Sequence, residues 1–191
     1  MDPISKPTGD ISLDSRLATA GQDELYRQAA VQYGAALARL ASVYEANAEQ
    51  RRDLLQEIHV ALWRSFAGFK GQCSLRTWVY RVAHNTAATH VLRGKRQWAL
   101  QRVSLDELET MPCPRDDEQL VDEAAVLERL RKLIQRLKPI DRDVILLYLE
   151  DVGAGEIGEI VGLSPDYVAQ KVHRIKKLLQ RFFQAGDDDV A

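Results

Sequence analysis

The residue spacing predicts an all-α chain built as two small helical domains joined by an acidic linker. Three observations carry this. No segment sustains the period-two alternation that a half-buried strand needs. From Asp23 onward, apolar residues recur instead at three- and four-residue intervals. Pro112 and Pro114 then sit beside a charge run, and prolines two apart exclude helix there.

The elements follow in chain order. Residues 1–21 are polar and carry Pro3, Pro7, Gly9 and Gly21, so they read as a flexible N-terminal tail. Residues 22–100 form the first domain. Its first helix places Leu25, Ala29, Tyr33, Ala36, Leu37, Leu40 and Tyr44 on one stripe. A second helix spans about Glu49 to Phe66. A glycine-bearing loop (Ala67 to Cys73) turns the chain, and Ser74 caps a third helix that continues to about Trp98. Residues 101–118 are the linker. Residues 119–184 form the second domain, beginning with a helix from about Gln119 to Leu137. Pro139 opens another helix, ending near Glu150, and Gly153 and Gly155 interrupt the pattern. Ile157, Ile160 and Val161 make a short apolar helix that runs into Gly162 and Leu163. Ser164 then offers a cap, and Pro165 takes the first helical position, where its missing N–H costs nothing. The last helix buries Val168, Val172 and Ile175. Residues 185–191 are an acidic tail.

The chain has 191 residues and a formal net charge of −2, which hides a strong segregation of sign. From Phe69 to Arg102 every charged residue is a cation. From Val103 to Leu130 nine acids face two arginines, and from Ser164 to Phe183 five cations face Asp166 alone. Two basic blocks separated by an acidic one point to two nucleic-acid contacts joined by a segment that avoids the polyanion; scattered surface charge is the alternative. Cys73 and Cys113 form no CxxC pair, so neither a zinc site nor a disulfide framework is expected. The N-terminus lacks the basic start and apolar core of a secretory signal, and no run is long and apolar enough to span a membrane. A cytoplasmic location follows as the expectation. No glycine-rich phosphate loop, metal spacing or nucleophile set appears, and His59, His84, His90 and His173 are scattered. No enzymatic role, cofactor or metal is expected.

Three helix faces hold the candidate sites. On the second helix, at about 100° per residue, Leu54, Leu55, Ile58 and Leu62 gather on the inner side. The opposite side shows Asp53, Gln56, Glu57, Val60 and Arg64, with Trp63 at its margin. A valine flanked by carboxylates and a tryptophan has the make-up of an interface centre, although single exposed valines are common. On the third helix, Leu75, Val79, Val82, Ala83 and Thr86 point one way. Thr77, Tyr80, Arg81 and His84 point the other, with Trp78 and Asn85 at one border. Rings, an amide and cations on one surface suit unstacked bases, while an ordinary core helix with Trp78 and Tyr80 buried is the alternative. Arg93, Lys95 and Arg96 end this helix as a phosphate patch. The last helix has a greasy back and a front of Gln170, Lys171, His173, Arg174 and Lys177, as a major-groove reader requires; an amphipathic hairpin with a solvated basic face has the same pattern.

Taken together, these stretches resemble the extracytoplasmic-function group of bacterial sigma factors. DLLQEIHVALW (Asp53 to Trp63) looks like the family's helix for core polymerase. FAGFKGQCSLRTWVYRVAHNTAATHVLRGKR (Phe66 to Arg96) looks like its −10 module, and LKPIDRDVILLYLEDVGAGEIGEIVGLSPDYVAQKVHRIKKLL (Leu137 to Leu179) like its −35 module. The resemblance implies that Asp53, Gln56, Glu57, Val60 and Trp63 bind core RNA polymerase, on the β′ clamp helices, with the β subunit also contacted. It implies that Phe69, Lys70, Arg76, Tyr80, Arg81, Asn85, Arg93, Lys95 and Arg96 engage the −10 element, the Phe66 to Ser74 loop capturing a flipped base. Ser164, Tyr167, Gln170, Lys171, His173, Arg174 and Lys177 would engage the −35 element. It further implies promoter DNA and an anti-sigma factor as partners, with sequestration at the membrane by that factor. Departures stand at Ala169 and His84, where the family more often has a cation, and at the glycine-rich stretch Asp151 to Gly155. The competing reading is a free-standing helix-turn-helix regulator, which leaves the polar-aromatic face of Asp53 to Arg64 without a purpose.

Overall fold

A computed structural model describes residues 10–93, residue 105 and residues 123–184, with side-chain burial from residue 20. Seven helices make up the described residues: α1 (Asp10–Tyr44), α2 (Ala48–Phe66), α3 (Leu75–Arg93), α4 (Glu123–Arg136), α5 (Pro139–Leu149), α6 (Ala154–Val161) and α7 (Pro165–Gln184). Helices α1, α2 and α3 pack on one another, and α5, α6 and α7 form a second cluster. The linker residues other than Leu105, the charged patch at Lys95 and Arg96, and the two chain ends lie outside the described residues. Leu105 itself is buried.

Local chemistry places the helix boundaries. Asn47 caps α2, its side chain accepting from the N–H groups of Glu49 and Gln50 at 2.9 and 3.1 Å. Glu49 in the first turn and Arg64 in the last suit the helix dipole. Ser74 caps α3 as expected, its Oγ accepting from the Thr77 N–H at 3.0 Å. Pro139 and Pro165 occupy first helical positions. Gly162 is left-handed at φ 75°, and the N–H groups of Gly162 and Leu163 both donate to the Gly158 carbonyl. Helix α1 begins at Asp10, well before the expected start at Asp23. No proline lies between Asp10 and Tyr44, and one internal glycine costs a helix only about 1 kcal/mol, so Gly21 does not stop it.

The two clusters do not stand apart as tethered modules. Helix α3 packs against α6, and α1 against α4. Arg39 of α1 forms a two-pronged ion pair with Glu150, its Nε and Nη2 at 2.6 and 2.7 Å from the carboxylate oxygens. The Ser42 carbonyl accepts from both Arg131 and Gln135 of α4. Tyr44 donates its hydroxyl proton to Asp143, and the His84 ring nitrogen lies 2.9 Å from the same carboxylate oxygen. This docking explains why α3 is buried on both sides: Thr77, Tyr80 and His84, expected on an open face, are covered.

Candidate polymerase and nucleic-acid interfaces

The outer side of α2 is open, as its wheel predicts. Leu54, Ile58 and Leu62 are buried, whereas Asp53, Gln56 and Glu57 are exposed and Val60 is 41% exposed. These four line a groove of about 730 Å³ whose far wall is α3. Asn85 and Arg93 stand on that wall, so residues assigned to polymerase and to the −10 element share one trough. Ala61, Arg64, Thr86 and Thr89 complete it. The wheel grouped Thr86 with the apolar side of the helix and Thr89 carried no spacing signal; each returns its hydroxyl to its own helix, Thr86 to the Val82 carbonyl and Thr89 to that of Asn85. His90 reaches Glu57 across the trough at 3.3 Å.

Trp63 does not join this groove. It turns toward α1, where its indole N–H donates to Asp23 at 2.7 Å, and it lines a second groove with Tyr26 and Val31. Val31 is 84% exposed and was not singled out from the sequence; an apolar residue on the polar side of α1 was the available signal.

The loop after α2 is held by aromatic packing. Phe69 meets Phe66 edge-on at 6.2 Å and Trp78 at 5.2 Å, and the Trp78 indole N–H donates to Ser65 Oγ at 2.9 Å. Gly71 turns at φ 74°, a conformation that costs glycine nothing. Phe69 is thereby half-buried as a prop for the loop, while Lys70 stays exposed. Tyr80, expected to stack on a base, is only 4% exposed. It lies edge-on to Tyr33, and burial, with Glu150 nearby, pushes its hydroxyl up to about 12. Its burial beside Tyr33 rules out base stacking in this arrangement. Arg76 and Arg81 are half-buried and already engaged: Arg76 grips Glu156, and Arg81 donates to the Glu159 carbonyl at 3.1 Å. Asn85 and Arg93 are exposed.

Glu156 is the convergence point. Its Oε1 accepts from Ser74 Oγ at 3.0 Å, Thr77 Oγ1 at 2.6 Å and Arg76 Nε at 3.3 Å, and its Oε2 accepts from Arg76 Nη2. Burial works against the ionised form, but the hydrogen bonds from Arg76, Thr77 and Ser74 outweigh it and hold the carboxyl below its ordinary value.

The helix-turn-helix forms as the spacing predicts. Val168, Val172 and Ile175 are buried, and Ser164 Oγ accepts from the Tyr167 N–H at 3.3 Å. Gln170, His173 and Lys177 are exposed on the front of α7, and Arg174 is half-buried. Lys171 departs from the expectation. Its ammonium turns inward to Asp141 of α5 at 2.6 Å and lies over the Tyr167 ring at 4.9 Å, with the Lys171 and Asp141 side chains 12% and 5% exposed. A carboxylate buried at the start of α5 draws the cation away from solvent. Gly153 is the N-cap residue of α6, without a side-chain cap bond.

Comparison with known proteins agrees with this geometry. Residues 30–97 match the Sigma-70 region 2 family and residues 127–179 the Sigma-70 region 4 family. The chain is 29% identical over 134 residues to the RNA polymerase sigma factor YlaC of Bacillus subtilis, covering 70% of this chain and 77% of that one. It is also 29% identical over 154 residues to the ECF RNA polymerase sigma factor SigG of Mycobacterium tuberculosis, covering 67% of this chain but only 40% of that longer relative. Among solved structures, CnrH in complex with the cytosolic domain of CnrY superposes with a TM-score of 0.61 at 21% identity, over 89% of this chain and 94% of that one, which supports the fold. The chain belongs to the extracytoplasmic-function sigma factors of the sigma-70 family. It is a promoter-recognising transcription-initiation factor, and the matched region 2 disfavours a free-standing helix-turn-helix regulator. No helix among the described residues is long and apolar enough to cross a membrane.

Proposed function

We propose that the α2 side of the trough docks on the β′ clamp helices of core RNA polymerase, that α3 and the loop before it engage the −10 strand, and that the front of α7 reads the −35 groove. The observation that carries this is Val60, an apolar centre ringed by Asp53, Gln56 and Glu57 on an otherwise polar face. Asn85, Arg93 and Lys70 are the −10 contacts open to solvent, and Gln170, His173, Arg174 and Lys177 the −35 readers, with Ser164 and Tyr167 at the helix start. Lys171 acts as an internal support of α7. The chain makes no bond itself; the polymerase supplies the chemistry. The solved relative CnrH is held by the cytosolic domain of CnrY, and a comparable anti-sigma protein suits this chain, which would act in the cytoplasm or be held at the membrane by that partner.

The test is capture of purified core polymerase by the tagged chain, followed by promoter-dependent transcription. Val60→Asp should abolish capture while leaving the melting curve unchanged, because the side chain already faces water. Undiminished capture by this variant would overturn the assignment of the docking face.

A further inference from the structure

We propose that Ser74, Arg76 and Thr77 form a seat for a backbone phosphate of the promoter strand, and that Glu156 fills this seat whenever the two helical clusters are docked, so that docking and −10 engagement exclude one another. The inference rests on the chain being a promoter-binding factor and adds an internal competitor to that role.

The donor set carries it. Two hydroxyls and a guanidinium converge on one carboxylate, and this is the inventory by which proteins hold a phosphate oxygen pair. All three donors belong to the −10 module, while the carboxylate comes from the −35 module, so the anion arrives from another part of the chain. The rest of the contact repeats the theme. Arg39 is held by Glu150, and Arg81 donates to the Glu159 carbonyl. Arg39, Arg76 and Arg81 are thus each matched to an acceptor from the other cluster. A promoter strand cannot reach Arg76 until Glu156 leaves, and the apparent affinity of the free chain falls by the fraction of molecules in which the seat is open.

Phosphate contacts carry no sequence information, so a fluorescein-labelled oligothymidylate is a sufficient probe for the full-length free chain. Wild-type protein should bind it weakly at low salt. Glu156→Gln should bind about tenfold more tightly, as expected for loss of a charge-assisted set of hydrogen bonds that favours the closed form. Glu159→Gln removes the same charge from the same helix but has no side-chain partner across the contact, and should stay within about twofold of wild type. Arg76→Gln placed on Glu156→Gln should remove the gain. Should Glu156→Gln fold poorly by circular dichroism, Glu150→Gln loosens the other end of the contact and should also tighten binding. Equal affinities for the wild type and both glutamine variants overturn the proposal. So does a gain shared by Glu159→Gln, or one that survives the loss of Arg76. Core capture by the wild-type chain reports separately: capture with no gain in Glu156→Gln overturns the internal competitor alone. A gain without capture overturns the sigma reading and keeps the anion seat.

Discussion

Replacing Gly158 with alanine is expected to damage the helix-turn-helix although it swaps a poor helix former for the best one. A Cβ built at this position lies 2.5 Å from the Leu163 carbonyl oxygen, 3.6 Å from its carbon and 3.7 Å from the Pro165 nitrogen. Carbon and carbonyl oxygen normally approach no closer than about 3.3 Å. The obstacle is backbone, so no rotamer change relieves it, and the turn must retreat by nearly an ångström. That retreat loosens the two bonds by which Gly162 and Leu163 donate to the Gly158 carbonyl, each worth about 1 kcal/mol. Overpacking adds about 1–3 kcal/mol, and helix propensity returns about 1 kcal/mol. The net expectation is a loss of about 2–3 kcal/mol, read as a lower urea midpoint at unchanged slope. Gly155→Ala in the same helix is the internal comparison. Nothing lies within 4 Å of its added carbon, so it should gain about 0.5–1 kcal/mol. A Gly158→Ala midpoint equal to or above that of wild type would refute the close-approach argument.

Further outcomes are expected at the buried pair, in the pH response and in the salt response. Removing either Asp141 or Lys171 alone should cost about 3 kcal/mol, whereas replacing both with apolar residues of similar size should cost less than either single change; additive losses in a double-mutant cycle would contradict the pairing. Because Glu156 titrates below its ordinary value of 4.5 when docked, its contribution to docking is complete above that pH and is lost as pH falls through the lowered value; an interdomain distance probe should report separation in that range and none between pH 6 and 8. His59 is also held below its ordinary 6.5, by burial against Tyr26, so its contribution to the α1–α2 contact is complete above pH 6.5 and declines as pH falls toward the lowered value. Promoter affinity of the holoenzyme should drop steeply between low and moderate salt, and a flat response would deny the basic faces a role at phosphates.

The elements were legible where the signal is local. The α2 and α7 wheels, the Ser74 and Ser164 caps, the Gly162 turn and the exposed Val60 all follow from short-range spacing, and the structure reproduces them. What misled was any inference that treated a polar helix face as a free one. Thr77, Tyr80 and His84 look like surface residues on the α3 wheel, but their partners (Glu156, Tyr33 and Asp143) lie far away in sequence. Lys171 misled for the same reason, since only tertiary structure brings Asp141 beneath it. His84 likewise meets a carboxylate from the other cluster, Asp143, at 5% exposure.

The trough between α2 and α3 has a mechanical consequence. Val60 and Asn85 are carried by two helices whose buried sides, through Ile58, Leu62 and Val79, belong to one close-packed core. A push on one wall is therefore felt by the other. In the proposed docking, a machine seated against the valine would also set the pitch and height at which the asparagine meets the unwound strand. Second-site changes that restore initiation to a seating-defective factor should then cluster along the opposite bank, at Thr86 and Thr89, rather than beside the original lesion.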